Sequence, residues 1–138
     1  MASLPGEIHL KTLLANMQPK LQPTVFVFAT IARASDLPTN VVPLCQFQEA
    51  EGTTLILAQA DADRINLPYA YPCRMITLTI HSNLAAVGLI ATVTQALAAM
   101  GISTNVISAY FHDHIFVPQA QAAAAIACLK ALAASAGN

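Results

Sequence analysis

Charge is what this sequence has least of. Of its 138 residues 9% are Asp, Glu, Lys or Arg, against roughly a quarter in an ordinary soluble domain. The six basic residues are scattered and the net charge is -1, which leaves no clustered cationic surface for nucleic-acid phosphates. Cysteine is sparse too. Cys45, Cys73 and Cys128 are an odd number with no CxxC spacing, so neither a disulfide framework nor a zinc site is expected, and the thiols read as buried and free. No apolar run approaches the ~20 residues of a bilayer span. The opening MASLPGEIHLKTLL lacks a basic segment followed by an apolar one, so a secretory signal is not expected and the localisation read from it is cytoplasmic.

What is there in quantity is neutral surface. From Met75 to Leu129 the sole charged residue is Asp113; the rest is apolar, small or neutrally polar. Such a stretch must bury its surface on several sides. A homo-oligomer, a dimer first, is expected to cover part of it.

In chain order, Glu7 to Met17 places Ile8, Leu10, Leu13, Leu14 and Met17 near one helical stripe that ends before Pro19. The run TVFVFATI, Thr24 to Ile31, is apolar on both faces and predicts a central strand. Ala32 to Pro43 is a loop by its prolines, Asn and Asp. Val42 to Glu49 and Thr53 to Ala58 predict a hairpin turned at Ala50-Glu51-Gly52, with Glu49 and Glu51 as solvated hairpin charges or, alternatively, groups facing a site. Asp61 to Leu67 predicts a short helix closed by Pro68 and Pro72, and Tyr69-Ala70-Tyr71 a boundary between halves.

Cys73 to Ile80 alternates Ile76, Leu78 and Ile80 against Thr77 and Thr79, a strand. After His81-Ser82-Asn83, a helix is expected from Leu84 to Met100, with Leu89, Val93, Leu97 and Met100 on one stripe and Gly101 as its left-handed cap. A strand over Ile102 to Phe111, a turn at His112-Asp113, a strand over His114 to Val117 and an alanine-rich helix over Gln119 to Ala134 follow. This order, strand, helix, strand, strand, helix, matches the α+β ferredoxin-like plan, helices covering one face of an antiparallel sheet. The first half is a worn version of it. Two diverged βαββα copies are expected, 1–70 and 71–138.

Three segments carry a family likeness: Glu49 to Leu57; Ile76 to Ser82 with Val87-Gly88-Leu89; and Gly101-Ile102-Ser103 through Tyr110 to His114-Ile115-Phe116-Val117. Together they resemble small bacterial proteins built from tandem ACT domains and, more distantly, ACT-type arginine sensors. The resemblance implies a ferredoxin-like, regulatory and non-catalytic protein that binds an amino acid or another small ligand at module interfaces. In the family's loop between first strand and first helix, an acid, a proline and a glycine are common. Here Gly88 is retained, Val87 stands in place of the proline, and no acid is present.

A free amino acid presents a carboxylate and an ammonium. The carboxylate suits backbone N–H groups at the start of a helix, where Asn83 to Gly88 would offer them. Asp113 is the carboxylate available to the ammonium. The expected ligand-contacting groups are Ser82, Asn83, Val87, Gly88, Asn105 and Asp113. Each has a structural alternative: a turn residue for Asp113, close helix packing for Gly88, a satisfied amide for Asn105. No cofactor, metal or catalytic residue is expected. A ligand-free interaction module is the alternative function, followed by a metal-dependent enzyme using His112, His114 and His81, although a catalytic metal needs about three protein ligands.

Overall fold

A computed structural model describes residues 9–80 and 86–137. Its elements run α1 (Leu10–Asn16), β1 (Pro19–Ile31), β2 (Cys45–Gln48), β3 (Thr53–Ala58), α2 (Gln59–Arg64), β4 (Ala70–Leu78), α3 (Leu89–Ala99), β5 (Asn105–Ser108), β6 (Asp113–Pro118) and α4 (Ala122–Ala136). Two compact units form, one over Pro23–Cys73 and the other from the residues up to Gln22 and from Arg74 onward. The chain therefore passes between units within β1 and again within β4.

In the Pro23–Cys73 unit the strands lie in the order β2-β3-β1, both pairs antiparallel, with Phe28 opposite Ile56, Thr30 opposite Thr54, and Phe47 opposite Thr54. Alternation along β1 and β3 sends Val27, Ala29, Leu55 and Leu57 to one face, where they form a core with Val41 and Ala62 of α2. The opposite face carries Phe28, Thr30 and Thr54. The hairpin turns at Glu49–Gly52, closed by the Glu49 N–H on the Gly52 carbonyl at 2.9 Å. Cys73 is buried here, its thiol donating to the Phe26 carbonyl at 3.3 Å.

In the other unit β4, β6 and β5 are neighbours in that order, and β5 pairs antiparallel with β6 from Asn105↔Phe116 to Ser108↔Asp113. Ile76, Leu78, Ile115 and Val117 point from one sheet face into a core completed by Leu13 and Leu14 of α1 with Met17 just after it, Leu89, Val93 and Leu97 of α3, and Ala122, Ala125 and Leu129 of α4. The sequence β4-α3-β5-β6-α4 is the expected βαββα order, and the fold is α+β and ferredoxin-like. Helix α1, though first in the chain, packs within this unit.

The end of α3 follows the residue pattern that predicted it. Gly101 sits at φ 71°, its N–H reaches the Ala98 carbonyl at 2.9 Å, and the Ile102 N–H reaches the Leu97 carbonyl at 3.0 Å. That pair of bonds satisfies the last carbonyls of the helix and folds Ile102 back against Leu97, both buried.

Several boundaries differ from the sequence reading. β1 starts at Pro19, five residues early, because a proline at the first position of a strand donates no ladder bond that is needed. Ala70 and Tyr71 of the expected connector belong to β4, with Tyr71 held at φ 63°. Met100 is 53% exposed and lies off the buried stripe of α3. The turn before β6 falls at Ala109–His112, where the Ala109 N–H meets the His112 carbonyl at 3.0 Å, so Asp113 is a strand residue instead of a turn residue.

Candidate functional site

Ser82 and Asn83, with His81, lie outside the described residues. Gly88 is the residue before α3, at φ 100°, ψ -15°, a left-handed conformation in which glycine has no steric penalty. Its carbonyl accepts the Thr92 N–H at 2.9 Å, opening the helix. A Cβ on Gly88 would meet Leu10 Cδ2 of α1 at 3.2 Å. The glycine is thus demanded twice by structure, by backbone conformation and by the approach of α1. Val87 beside it is 83% exposed.

Asp113 opens β6 opposite Ser108 and is 8% exposed. By alternation it shares its face with Ile115 and Val117, the side on which the helices pack. The neighbouring His112 points its Nδ1 at the Ile80 carbonyl, 3.3 Å away. The start of β6 therefore lies beside the end of β4, the strand that leads toward Gly88.

Asn105 lies apart from Asp113. It is exposed, pairs with Phe116 and stands on the opposite sheet face. Three residues separate it from the Ser108↔Asp113 pair along β5, about 10 Å at the rise of a strand.

The helix-free face carries a polar row that the sequence reading did not assemble. Gln22 Nε2 donates to Thr77 Oγ1 at 3.2 Å, and Thr77 Oγ1 lies 3.0 Å from His114 Nδ1. Arg74 fixes the same strand pair by donating from Nε and Nη2 to the Gln22 carbonyl at 2.9 and 2.7 Å. Burial, then the nearby His112 charge, pull the His114 pKa below its ordinary value of 6.5, with Asp113 partly offsetting them. The ring is neutral at pH 7. Thr77 Oγ1 accepts from Gln22 and still holds a proton and a second lone pair, so it donates to Nδ1 in the Nε2–H tautomer and accepts from it in the Nδ1–H tautomer. The signal for this row was the Thr77/Thr79 alternation, polar positions on a strand that lacks charge.

His112 and His114 stack edge to face with ring centroids 6.4 Å apart, each with Nδ1 turned to a protein partner. Among the described residues no group of three or more His, Cys, Asp or Glu could hold a metal ion.

Two models of the ACT domain match the sequence in tandem, one over residues 5–74 and the other over 70–131. The chain belongs to the ACT-domain family. Among solved structures, a Vibrio cholerae protein of unknown function, described as a "possible transport protein", is 40% identical over 90% of this chain and 95% of its own, with TM-score 0.82. Structures of aspartokinase α and β subunits match at 11% identity, covering 83% of this chain and 96% of that one, TM-score 0.62. The ligand-free regulatory subunit of aspartate kinase from Thermus thermophilus matches at 9% identity over 85% and 96%, TM-score 0.61. At those identities the two kinase likenesses establish a shared ACT fold. No curated protein matches this sequence. Among the described residues no helix of this ACT protein is long and apolar enough to cross a membrane.

Proposed function

We propose that this tandem ACT protein is a non-catalytic regulatory protein of the cytoplasm that binds a small ligand, an amino acid first among them. The pair of ACT matches carries this reading. The ligand carboxylate would sit at the entry to α3, on the connection Ser82, Asn83, Val87 and Gly88 and the first N–H groups of the helix, which have no partner within it. The ammonium would face Asp113, the sole charged residue between Met75 and Leu129. Asn105, on the far side of the β5–β6 ladder, would meet such a ligand only from a second copy of the chain.

Self-association, a dimer in the simplest case, is part of the proposal. Tyr110 and Phe111 at the β5–β6 turn are 59% and 61% exposed and pack on each other edge to face at 4.9 Å. Exposed aromatic pairs of this kind favour burial against another surface. Sedimentation at high concentration tests it, and a strictly monomeric mass would count against it.

A thermal-shift screen of the twenty amino acids, common nucleotides and divalent metals tests ligand class. A ligand at a hundredfold its dissociation constant stabilises by about 2.7 kcal/mol. Response to an amino acid supports the reading; response to a divalent metal alone would replace it with the metal-dependent alternative, and no response at all with an interaction module.

A further inference from the structure

A groove of about 620 Å³ opens in the Pro23–Cys73 unit, lined by Phe28, Thr30, Glu49, Thr54, Pro68 and Tyr69 among others. It lies on the β1–β3 face turned away from α2 and is remote in sequence from the α3 entry. Its size falls within the range of small-molecule sites, roughly 300–1,000 Å³. Glu49 is the one charged side chain in its lining. The Thr54 hydroxyl donates to Glu49 Oε1, which holds the carboxylate in place and leaves Oε2 to accept elsewhere. Among the described residues the ion pair is Arg64–Asp61, and no basic side chain neutralises Glu49.

The aromatic walls are also held. Tyr69 Oη accepts from Gln59 Nε2 at 3.1 Å, and the Phe28 ring meets Tyr71 edge to face, centroids 5.7 Å apart. A fixed, unneutralised carboxylate beside aromatic surface complements an ammonium attached to an apolar body: the charge meets the carboxylate and the carbon skeleton covers the rings. No Lys or Arg lines the groove, so a ligand that also carries a carboxylate or phosphate would leave that anion without a cationic partner there. One carboxylate matches one positive charge.

We propose that this groove is a binding site for organic monoamines with a ring-sized apolar body, separate from the amino-acid site at α3 and independent of it. The test uses the full chain, titrated with phenethylamine near pH 7 and followed by two-dimensional ¹H–¹⁵N NMR, with 2-phenylethanol as the uncharged counterpart. Saturable shifts are expected at the amides of Thr30, Glu49, Thr54 and Tyr69, with the alcohol at least tenfold weaker. Glu49→Gln keeps an acceptor for Thr54 on an exposed hairpin, and its retained spectrum reports an intact fold. In that variant the amine should bind no better than the alcohol. Equal affinity of amine and alcohol, amine binding undiminished in Glu49→Gln, or the lack of saturable shifts at these four amides would overturn the proposal.

Discussion

The Thr77 hydroxyl oxygen and His114 Nδ1 stand 3.0 Å apart across the β4–β6 pair, and the direction of that bond depends on the proton count of the imidazole. In the Nε2–H tautomer of the neutral ring Thr77 donates to Nδ1. A protonated imidazole carries N–H on both nitrogens, so Thr77 can then only accept from Nδ1, alongside Gln22, and its own proton must find another acceptor.

This relationship makes His114 an acid-sensitive element of stability. Its folded-state pKa lies below 6.5, mainly through burial, so in the window below pH 6.5 the unfolded chain binds more protons. The stabilisation is complete above pH 6.5 and is lost as pH falls through the folded-state pKa. His114→Gln retains an acceptor for Thr77 without titrating. The difference in unfolding free energy between wild type and His114→Gln, measured by urea denaturation from pH 7.5 to 5, should narrow toward acid; a constant or widening difference would contradict the assignment.

Gly88 and Gly101 separate two reasons for glycine. Both have positive φ, but only Gly88 has a neighbour in the way, Leu10 Cδ2 at 3.2 Å, while a Cβ on Gly101 meets nothing within 4 Å. Gly101→Ala should cost about 1 kcal/mol from backbone conformation alone, and Gly101→Asn should recover part of it, since Asn tolerates the left-handed region. Gly88→Ala should cost more, about 2 kcal/mol, because Leu10 must also shift. Thermal unfolding of the three variants checks the order.

The three thiols should differ in reactivity. Cys73 is fully buried, and desolvation pushes its pKa up to about 11, so almost none of it is thiolate at pH 8. Cys45 and Cys128 are partly exposed. A thiol–disulfide reagent at pH 8 should modify Cys45 and Cys128 while Cys73 remains protected until the chain unfolds. Peptide mapping that finds Cys73 labelled at the rate of the other two would be inconsistent with its hydrogen bond to Phe26.

Much of the fold was legible because periodicity reports burial directly. The Ile76/Leu78 alternation, the Leu89-Val93-Leu97 stripe and the Gly101 stop each encode one local physical demand, and each stands where the sequence put it. The errors share a cause as well. Pro19, Pro72 and Tyr71 look like punctuation in one dimension, yet a strand can begin on a proline and hold a left-handed tyrosine when its neighbours supply the remaining bonds.

The site was less legible. Gly88 could be singled out, but the Leu10 contact that also requires it comes from a helix nearly eighty residues earlier in the chain. Asp113 stood out by charge, while its shift from turn to buried strand position follows from where Ala109 and His112 close the turn. The Gln22–Thr77–His114 row joins three distant segments, and no spacing rule connects them.

The central claim, that this ACT chain binds an amino acid through the α3 entry and Asp113, is tested most directly by calorimetric titration of the full chain with each amino acid, repeated on Asp113→Asn. The account predicts saturable binding of at least one amino acid by the wild type, and at least a tenfold loss in Asp113→Asn with an unchanged circular dichroism spectrum. No binding by any of the amino acids would contradict it, and affinity unchanged in Asp113→Asn would remove Asp113 from the site.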